Sequence, residues 1–195
     1  MNDIALWNVS PSPGAPPITL NGTVEQVYAK LLEINPNYDK DWGNANDEGK
    51  IEGVIHSNFD LDVDVDTAVG SETDIHAGLE SRDDLEPLHP REGLTCEADR
   101  NADMWHIHDG IRYLRKVKGQ PVNDPGQCGR VSCSGNSAIW WCNLDPDHRK
   151  VLPSFNNIAD GAQVIADNCR RGPNRVRGKL GHRDRWQVIV QHAKC

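Results

Sequence analysis

The cysteines constrain this chain of 195 residues more than any other feature, because all six lie within residues 96–195. They are Cys96, Cys128, Cys133, Cys142, Cys169 and Cys195. An even number of cysteines with neither a CxxC pair nor a zinc-ligand spacing is typical of disulfides formed in an oxidising compartment. We therefore expect a secreted, extracellular protein in which three disulfides stabilise residues 96–195.

The start of the chain and its hydropathy bear on the same expectation. The first residues, MNDIALW, have neither the basic start nor the apolar core of a signal peptide, so secretion requires a removed signal or unconventional export. Sequons at Asn8 and Asn21 are acceptors for N-linked glycans in a secreted protein. No apolar run approaches the ~20 residues of a membrane-spanning helix, so we do not expect a transmembrane protein.

Charge is distributed unevenly along the chain. Residues 1–95 contain 19 acidic and 5 basic side chains, whereas residues 96–195 contain 10 acidic and 16 basic ones. We accordingly divide the chain into an acidic N-terminal region (1–69), a polar linker (70–95) and a basic three-disulfide domain (96–195).

The acidic region contains one predicted helix and one predicted strand. Thr23 and Gln26 form a capping box that opens a helix ending near Ile34, with an apolar stripe along one face. Residues 59–66 alternate strictly between apolar and aspartate side chains, which predicts a strand with one buried face. The aspartates indicate a solvated face rather than a calcium loop, because the glycine and glutamate of an EF-hand are missing.

The basic region has a regular order of elements. We predict a helix from Asp103 to Lys118, a hairpin over 129–143 with a Gly-Asn turn, a helix over 154–169 and a final strand over 186–192. The order predicts an α+β fold: a small, mostly antiparallel sheet with two helices on one face, stabilised by disulfides and preceded by the acidic N-terminal α/β region.

The disulfide pairing follows if the strands at 137–143 and 186–192 are parallel and joined through the second helix. The ends of that strand and helix then lie at opposite edges of the sheet, whereas a disulfide needs Cα atoms within ~7 Å. This geometry excludes a Cys142–Cys169 bond. The predicted bonds are therefore Cys133–Cys169, one from Cys195 to either Cys128 or Cys142, and one from Cys96 to the cysteine left over.

Few residues suggest catalysis or metal binding. His106 and His108 are separated by roughly 200° on a helix, so we interpret them as ordinary first-turn residues and expect no metal. The serines Ser132, Ser134 and Ser137 do not form a nucleophile motif and are predicted to be hairpin residues. Because GxGxxG and P-loop motifs are absent, we expect no nucleotide or other cofactor.

The strongest local signal is a basic stripe, the sequence RRGPNRVRGKLGHRDR at 170–185. Such a stripe suits phosphate backbones, anionic lipid headgroups or an acidic partner, and it is also typical of a solvated connection that balances acidic charge. A nuclease would add a general acid and base, such as His182 and a partly buried His192. The predicted residues for binding an anionic partner are Arg170, Arg171, Arg175, Arg177, Lys179, His182, Arg183 and Arg185.

The segments CGRVSCSGNSAIWWCN (128–143), SFNNIADGAQVIADNC (154–169) and HRDRWQVIVQHAKC (182–195) resemble small cysteine-rich proteins secreted by filamentous fungi. These include necrosis-inducing effectors and proteins with killer-toxin-like folds. The resemblance covers residues 96–195 and implies an extracellular protein that acts on a host or competing cell by binding rather than catalysis. The family offers no catalytic residues to transfer. A small secreted hydrolase, most concretely a nuclease, is the alternative function.

Overall fold

The computed structural model describes residues 5–44 and 93–195 of the chain. These residues form an α+β fold in which every pair of hydrogen-bonded strands is antiparallel, as predicted at this level. The helices are α1 (Val24–Ile34), α2 (Tyr38–Asp41), α3 (Met104–Lys116) and α4 (Asn156–Asn168). The strands are β1 (Leu6–Val9), β2 (Ile18–Asn21), β3 (Leu94–Cys96), β4 (Ala102–Asp103), β5 (Gly119–Asn123), β6 (Cys128–Ser134), β7 (Ser137–Asn143), β8 (Lys150–Val151), β9 (Arg170–Arg171), β10 (Arg175–Val176), β11 (Gly178–His182) and β12 (Trp186–His192).

Residues 5–44 share one hydrophobic core with the cysteine-containing half. Strand β1 lies between β2 and β5 in a four-stranded sheet of order β2-β1-β5-β8. Its side chain Trp7 is fully buried and stacks on Phe155, with ring centroids 4.5 Å apart. The predicted strand at 59–66, the boundary at residue 69 and most of the linker at 70–95 lie outside the described residues.

A five-stranded sheet of order β3-β11-β12-β7-β6 forms the other main layer. Two helical glycines mark where α3 and α4 approach it most closely. A methyl group at Gly110 of α3 would lie 3.1 Å from the Cδ1 atom of Ile139 in β7, and one at Gly161 of α4 would lie 2.7 Å from the Cγ2 atom of Val188 in β12. Both helices therefore pack with almost no space between backbone and sheet.

The predicted starts of α1 and α3 are confirmed, whereas α4 begins at Asn156, two residues later than predicted, with Phe155 at its N-cap. Thr23 and Gln26 form the capping box of α1, and the Asp103 carboxylate accepts a hydrogen bond of 2.9 Å from the backbone N–H of Trp105. The Ser154 hydroxyl accepts from the Asn156 backbone at 3.1 Å at the start of α4. These side-chain acceptors satisfy N–H groups that the first turn of a helix leaves without partners.

The predicted parallel arrangement of 137–143 and 186–192 is wrong. Strands β7 and β12 pair antiparallel along their whole length, from Trp186 opposite Asn143 to His192 opposite Ser137. The reason is β11, whose residues lie in the stretch predicted to be a connection. Because β11 forms a hairpin with β12, it reverses the direction of the last strand.

This reversal also changes the disulfides. Strand β12 ends beside the turn of the β6–β7 hairpin and not at the opposite edge as predicted. There the backbone N–H of Ala193 donates to the Asn136 carbonyl at 3.0 Å. All three predicted bonds are therefore wrong: Cys133–Cys169, Cys195 to Cys128 or Cys142, and Cys96 to the one of those two left over. The observed pairs are Cys96–Cys169, Cys128–Cys142 and Cys133–Cys195.

Candidate functional site

The start of α3 and the short β9–β10 hairpin form one continuous surface. Strand β10 pairs with β4, which places Arg175 directly opposite Asp103. The backbone N–H of Met104 donates to the Asn174 carbonyl at the hairpin turn, with a distance of 3.0 Å. Strand pairing and a backbone hydrogen bond therefore hold the first turn of the helix against the arginine-containing hairpin.

Three arginines of this hairpin are exposed and have no carboxylate within ion-pair distance among the described residues: Arg170, Arg171 and Arg175. Arg171 lies directly opposite Arg175 in the strand register. Like charges in this position destabilise a strand pair. Asp103, directly opposite Arg175 on its other side, offsets part of the repulsion, and a bound anion would offset more of it. The guanidinium of Arg170 donates to the carbonyls of Gly172 at 3.2 Å and Pro173 at 2.6 Å, which orders its side chain.

The same surface contains the most exposed large hydrophobic side chain of the described residues. Trp105 lies in the first turn of α3 and is 69% exposed. It points away from the buried stripe that Met104 and Ile107 begin. One exposed aromatic side chain is common on protein surfaces, so Trp105 gains its interest from the arginine-containing hairpin that is held against its helix turn. Arg170 lies opposite the buried Val176 and so points to the other face of the hairpin from Arg171 and Arg175. We name the surface formed by Trp105, Arg171 and Arg175 the basic surface.

The middle of the predicted stripe is neutralised by acidic side chains. Arg177 contacts Glu97 and forms an ion pair with Asp99 at 2.8 Å, and Lys179 forms one with Glu97 at 2.7 Å. These residues are close to the predicted anion-binding residues in sequence, but their charge is already balanced within the protein.

The last part of the stripe lies at the other end of β11. His182 stacks on Trp186, with ring centroids 3.6 Å apart, and burial lowers the pKa of its imidazole against the opposing effect of Asp184. Arg185 lies 3.7 Å from Asp145. A hydrogen bond from the Asp147 backbone lowers the pKa of Asp145 and keeps its carboxylate charged. The structure thus divides the predicted stripe into separate groups.

The nuclease hypothesis requires His182 and His192 to lie close together, and they do not. His182 is opposite Trp186 at one end of β12, whereas His192 is the last residue of that strand. Six residue steps at ~3.3 Å each separate them by about 20 Å. His192 is also exposed, which corrects the expectation that it is partly buried. This pair is too far apart to transfer protons to and from one substrate.

The three hairpin serines lie in the β6–β7 hairpin, as predicted, and each bonds to a neighbouring element. Ser132 donates to Glu25 of α1 at 2.6 Å, and the Ser137 hydroxyl accepts from the Asp103 backbone at 2.8 Å. Ser134 lies 3.1 Å from the Nδ1 atom of His106, a contact the sequence analysis missed because it joins a strand to a helix. These bonds attach α1 and α3 to the sheet.

We looked for metal-ligand clusters and membrane-spanning helices in the part of the chain that the structure describes. No group of three or more His, Cys, Asp or Glu side chains there is placed to hold a metal ion. His106 and His108 both lie in α3, as the helical periodicity predicted. None of the described helices is long and apolar enough to cross a membrane.

Comparison with known proteins finds no matching protein family, no similar curated protein and no similar solved structure. Functional inference therefore rests on the geometry of the molecule.

Proposed function

We propose that this protein is an extracellular, disulfide-stabilised binding protein that acts on a host or competing cell by attaching to an anionic membrane surface on it. The observation that carries the proposal is the basic surface. The exposed Arg171 and Arg175 lie opposite each other and form no ion pair among the described residues, and their hairpin is held against the first turn of α3, which exposes Trp105. This combination matches a membrane interface, since tryptophan favours the headgroup level and arginine attracts anionic lipids.

The extracellular part of the proposal is supported by the disulfides. All six cysteines are paired, and the last residue of the chain is one of them. Such bonds persist in oxidising compartments and are rare in the cytosol. The resemblance to secreted fungal effectors and killer-toxin-like proteins points to the same location and to action on another cell.

The charges give a rough magnitude for the attraction. A cation close to an anionic membrane contributes about 1 kcal/mol, so removing two arginines weakens binding by about 2 kcal/mol, roughly 30-fold in Kd. Exposed charges are screened beyond about 10 Å at 0.1 M salt, so binding is expected to weaken as salt increases. Arginines already paired with carboxylates contribute less, because their charge is balanced before the membrane arrives.

The proposal is tested with vesicles containing phosphatidylserine and with neutral vesicles. We expect the double variant Arg171→Gln/Arg175→Gln to bind anionic vesicles roughly 30-fold more weakly than the parent. Arg112→Gln/Arg115→Gln is the matched control, because it removes the same net charge from residues that form ion pairs with Asp109 and Asp160. We expect the control to bind nearly as well as the parent.

Tryptophan fluorescence provides a second measurement. A blue shift on binding that disappears in Trp105→Phe would place the indole in the headgroup layer. Equal loss of binding in the two double variants would refute the assignment to the basic surface. Cell leakage and death are measured with the same protein, and cleavage of RNA or DNA by it would favour the nuclease alternative.

A further inference from the structure

The outer face of the four-stranded sheet contains a groove that the proposed function does not use. It has a volume of about 460 Å³ and extends to Cys128 at the start of β6. Its lining comes from β1, β2 and β5 and from the segments that follow β5 and precede β8, including Leu6, Asn8, Thr19, Val122 and Arg149. This volume falls within the ~300–1,000 Å³ of small-ligand sites.

Apolar side chains form a row across this face. Leu6 lies opposite Val122, which lies opposite Val151 on the next strand. Leu6 is 48% exposed and Val151 is 49% exposed. Two of the most exposed large aliphatic side chains of the described residues therefore share one surface, a pattern that calls for a covering group.

Both sequons of the chain lie on this same face. Asn8 shares the face of Leu6 because alternate residues of a strand point to one side, and Asn21 lies directly opposite Leu6. Neither carboxamide forms a hydrogen bond within the described part of the chain. Asn21 is exposed at the end of β2, and Asn8 is half-buried in the lining of the groove.

We propose that Asn8 and Asn21 carry N-linked glycans and that the inner sugars of the Asn8 glycan occupy the groove. In the transfer, the amide Nδ2 forms a bond to the anomeric carbon of an oligosaccharide while the bond from that carbon to a lipid-linked diphosphate breaks. The diphosphate leaves with the electron pair, and the amide loses one proton. This inference rests on the proposed extracellular location and not on membrane binding.

The geometry supports a different environment for each glycan. Asn21 is the last residue of the edge strand β2, and its side chain is exposed to solvent. Asn8 lies between Thr19 and Gln120 on the neighbouring strands, so sugars attached to it must pass over the sheet face. A sugar ring presents one apolar face, which fits the exposed methyl groups of Leu6.

The experiment expresses the full chain behind a cleavable signal in a glycosylating eukaryotic host and measures the intact mass before and after treatment with a peptide N-glycosidase. We expect the parent to lose two glycans. Ser10→Ala is expected to carry only one glycan before treatment, whereas Ser10→Thr is expected to carry both, because threonine preserves the sequon. Asn21→Gln is likewise expected to carry only one glycan before treatment, and Thr23→Ser is expected to carry both.

The groove is tested by the rate of glycan removal. In the folded protein the Asn8 glycan is expected to be removed several-fold more slowly than the Asn21 glycan, with equal rates after unfolding. Equal rates in the folded protein would overturn occupancy of the groove. A secreted, fully disulfide-bonded protein without glycans would overturn the modification alone, whereas free thiols or failure to be secreted would count against the extracellular location.

Discussion

Gly161 provides a sharp test of the packing between α4 and the five-stranded sheet. A methyl group there would lie 2.7 Å from the Cγ2 atom and 3.2 Å from the Cβ atom of Val188, a fully buried side chain. Alanine is better than glycine inside a helix by about 1 kcal/mol, whereas forcing an extra methyl group into a packed core costs about 1–3 kcal/mol. The difference leaves a net loss of about 0–2 kcal/mol, so we expect Gly161→Ala to lower the free energy of unfolding by about 1 kcal/mol.

The partner variant makes this reasoning quantitative. Val188→Ala alone is expected to cost about 2 kcal/mol, because it leaves a cavity. In the Val188→Ala background, the atoms nearest to a methyl group at position 161 are the Cβ atom of residue 188 at 3.2 Å and the Cδ2 atom of Leu180 at 3.7 Å. The added methyl group is then tolerated, so Gly161→Ala is expected to be neutral or to stabilise by up to about 1 kcal/mol.

The measurement is urea unfolding with the disulfides intact, followed by tryptophan fluorescence, for the parent, both single variants and the double variant. The predicted coupling energy is about 1–2 kcal/mol in favour of the double variant. Effects that add to within about 0.5 kcal/mol would refute the idea that helix and strand touch through these two residues. An unchanged denaturant slope is needed for the comparison to be valid.

Three further predictions concern groups distant from that contact. Replacing Cys96 and Cys169 with alanine removes a link between residues 73 positions apart and is expected to cost about 4 kcal/mol in urea unfolding, while a loss below about 1 kcal/mol would contradict the loop-closure argument. Because burial lowers the pKa of His182 below 6.5, the unfolded chain binds the proton first, so stability is expected to fall as pH decreases from 6.5 towards the folded-state pKa. His182→Phe should remove this part of the pH dependence, and the exposed His108→Gln should not. Burial raises the pKa of Tyr38 to about 12, so ultraviolet titration of the folded protein should show one late-ionising tyrosine that is missing in Tyr38→Phe.

Local elements of this fold were predictable because short-range signals agree. In α1 the capping box, the apolar stripe and the following Asn-Pro all lie within a few residues, and the helix forms where they predict it. The β6–β7 hairpin also follows its turn residues. Its register has one irregularity, a shift between Arg130 and Ser132. Without that shift Cys128 would lie opposite Asn143, so the observed Cys128–Cys142 pair depends on a bulge that the hairpin pattern does not reveal.

Strand β11 was missed for a different reason. Its sequence, GKLGH, contains two glycines and one large apolar side chain, which on its own is typical of a connection. The strand forms because β3 and β12 supply hydrogen bonds on both sides. Gly178 is required there, since a methyl group would lie 2.8 Å from the sulfur of Cys169. Partners that are distant in sequence decided this element, and with it the direction of the last strand.

The candidate site was predictable in part. The stripe of cations is visible in the sequence, but which of them keep an unbalanced charge depends on Glu97 and Asp99, which lie about 80 positions away from Arg177. The exposure of Trp105 has a local signal in the sequence. Its position is about 100° from the buried Met104 around the helix axis, which places it outside the apolar stripe. A large aromatic residue outside the apolar stripe of a helix is predicted to be exposed to solvent.

The central position of β1 has a consequence for how this chain can be divided. Residues 1–44 contain no cysteine, yet they supply an interior strand of the four-stranded sheet and the helix whose Glu25 accepts a hydrogen bond from Ser132. A cut anywhere between residues 45 and 92 would therefore leave two pieces joined only by non-covalent contacts. The N-terminal piece could be washed away by denaturant and supplied again as a separate peptide. Restoration of the native fluorescence by that peptide would show that the two fragments reassociate without a covalent link, with β1 inserted beside β5.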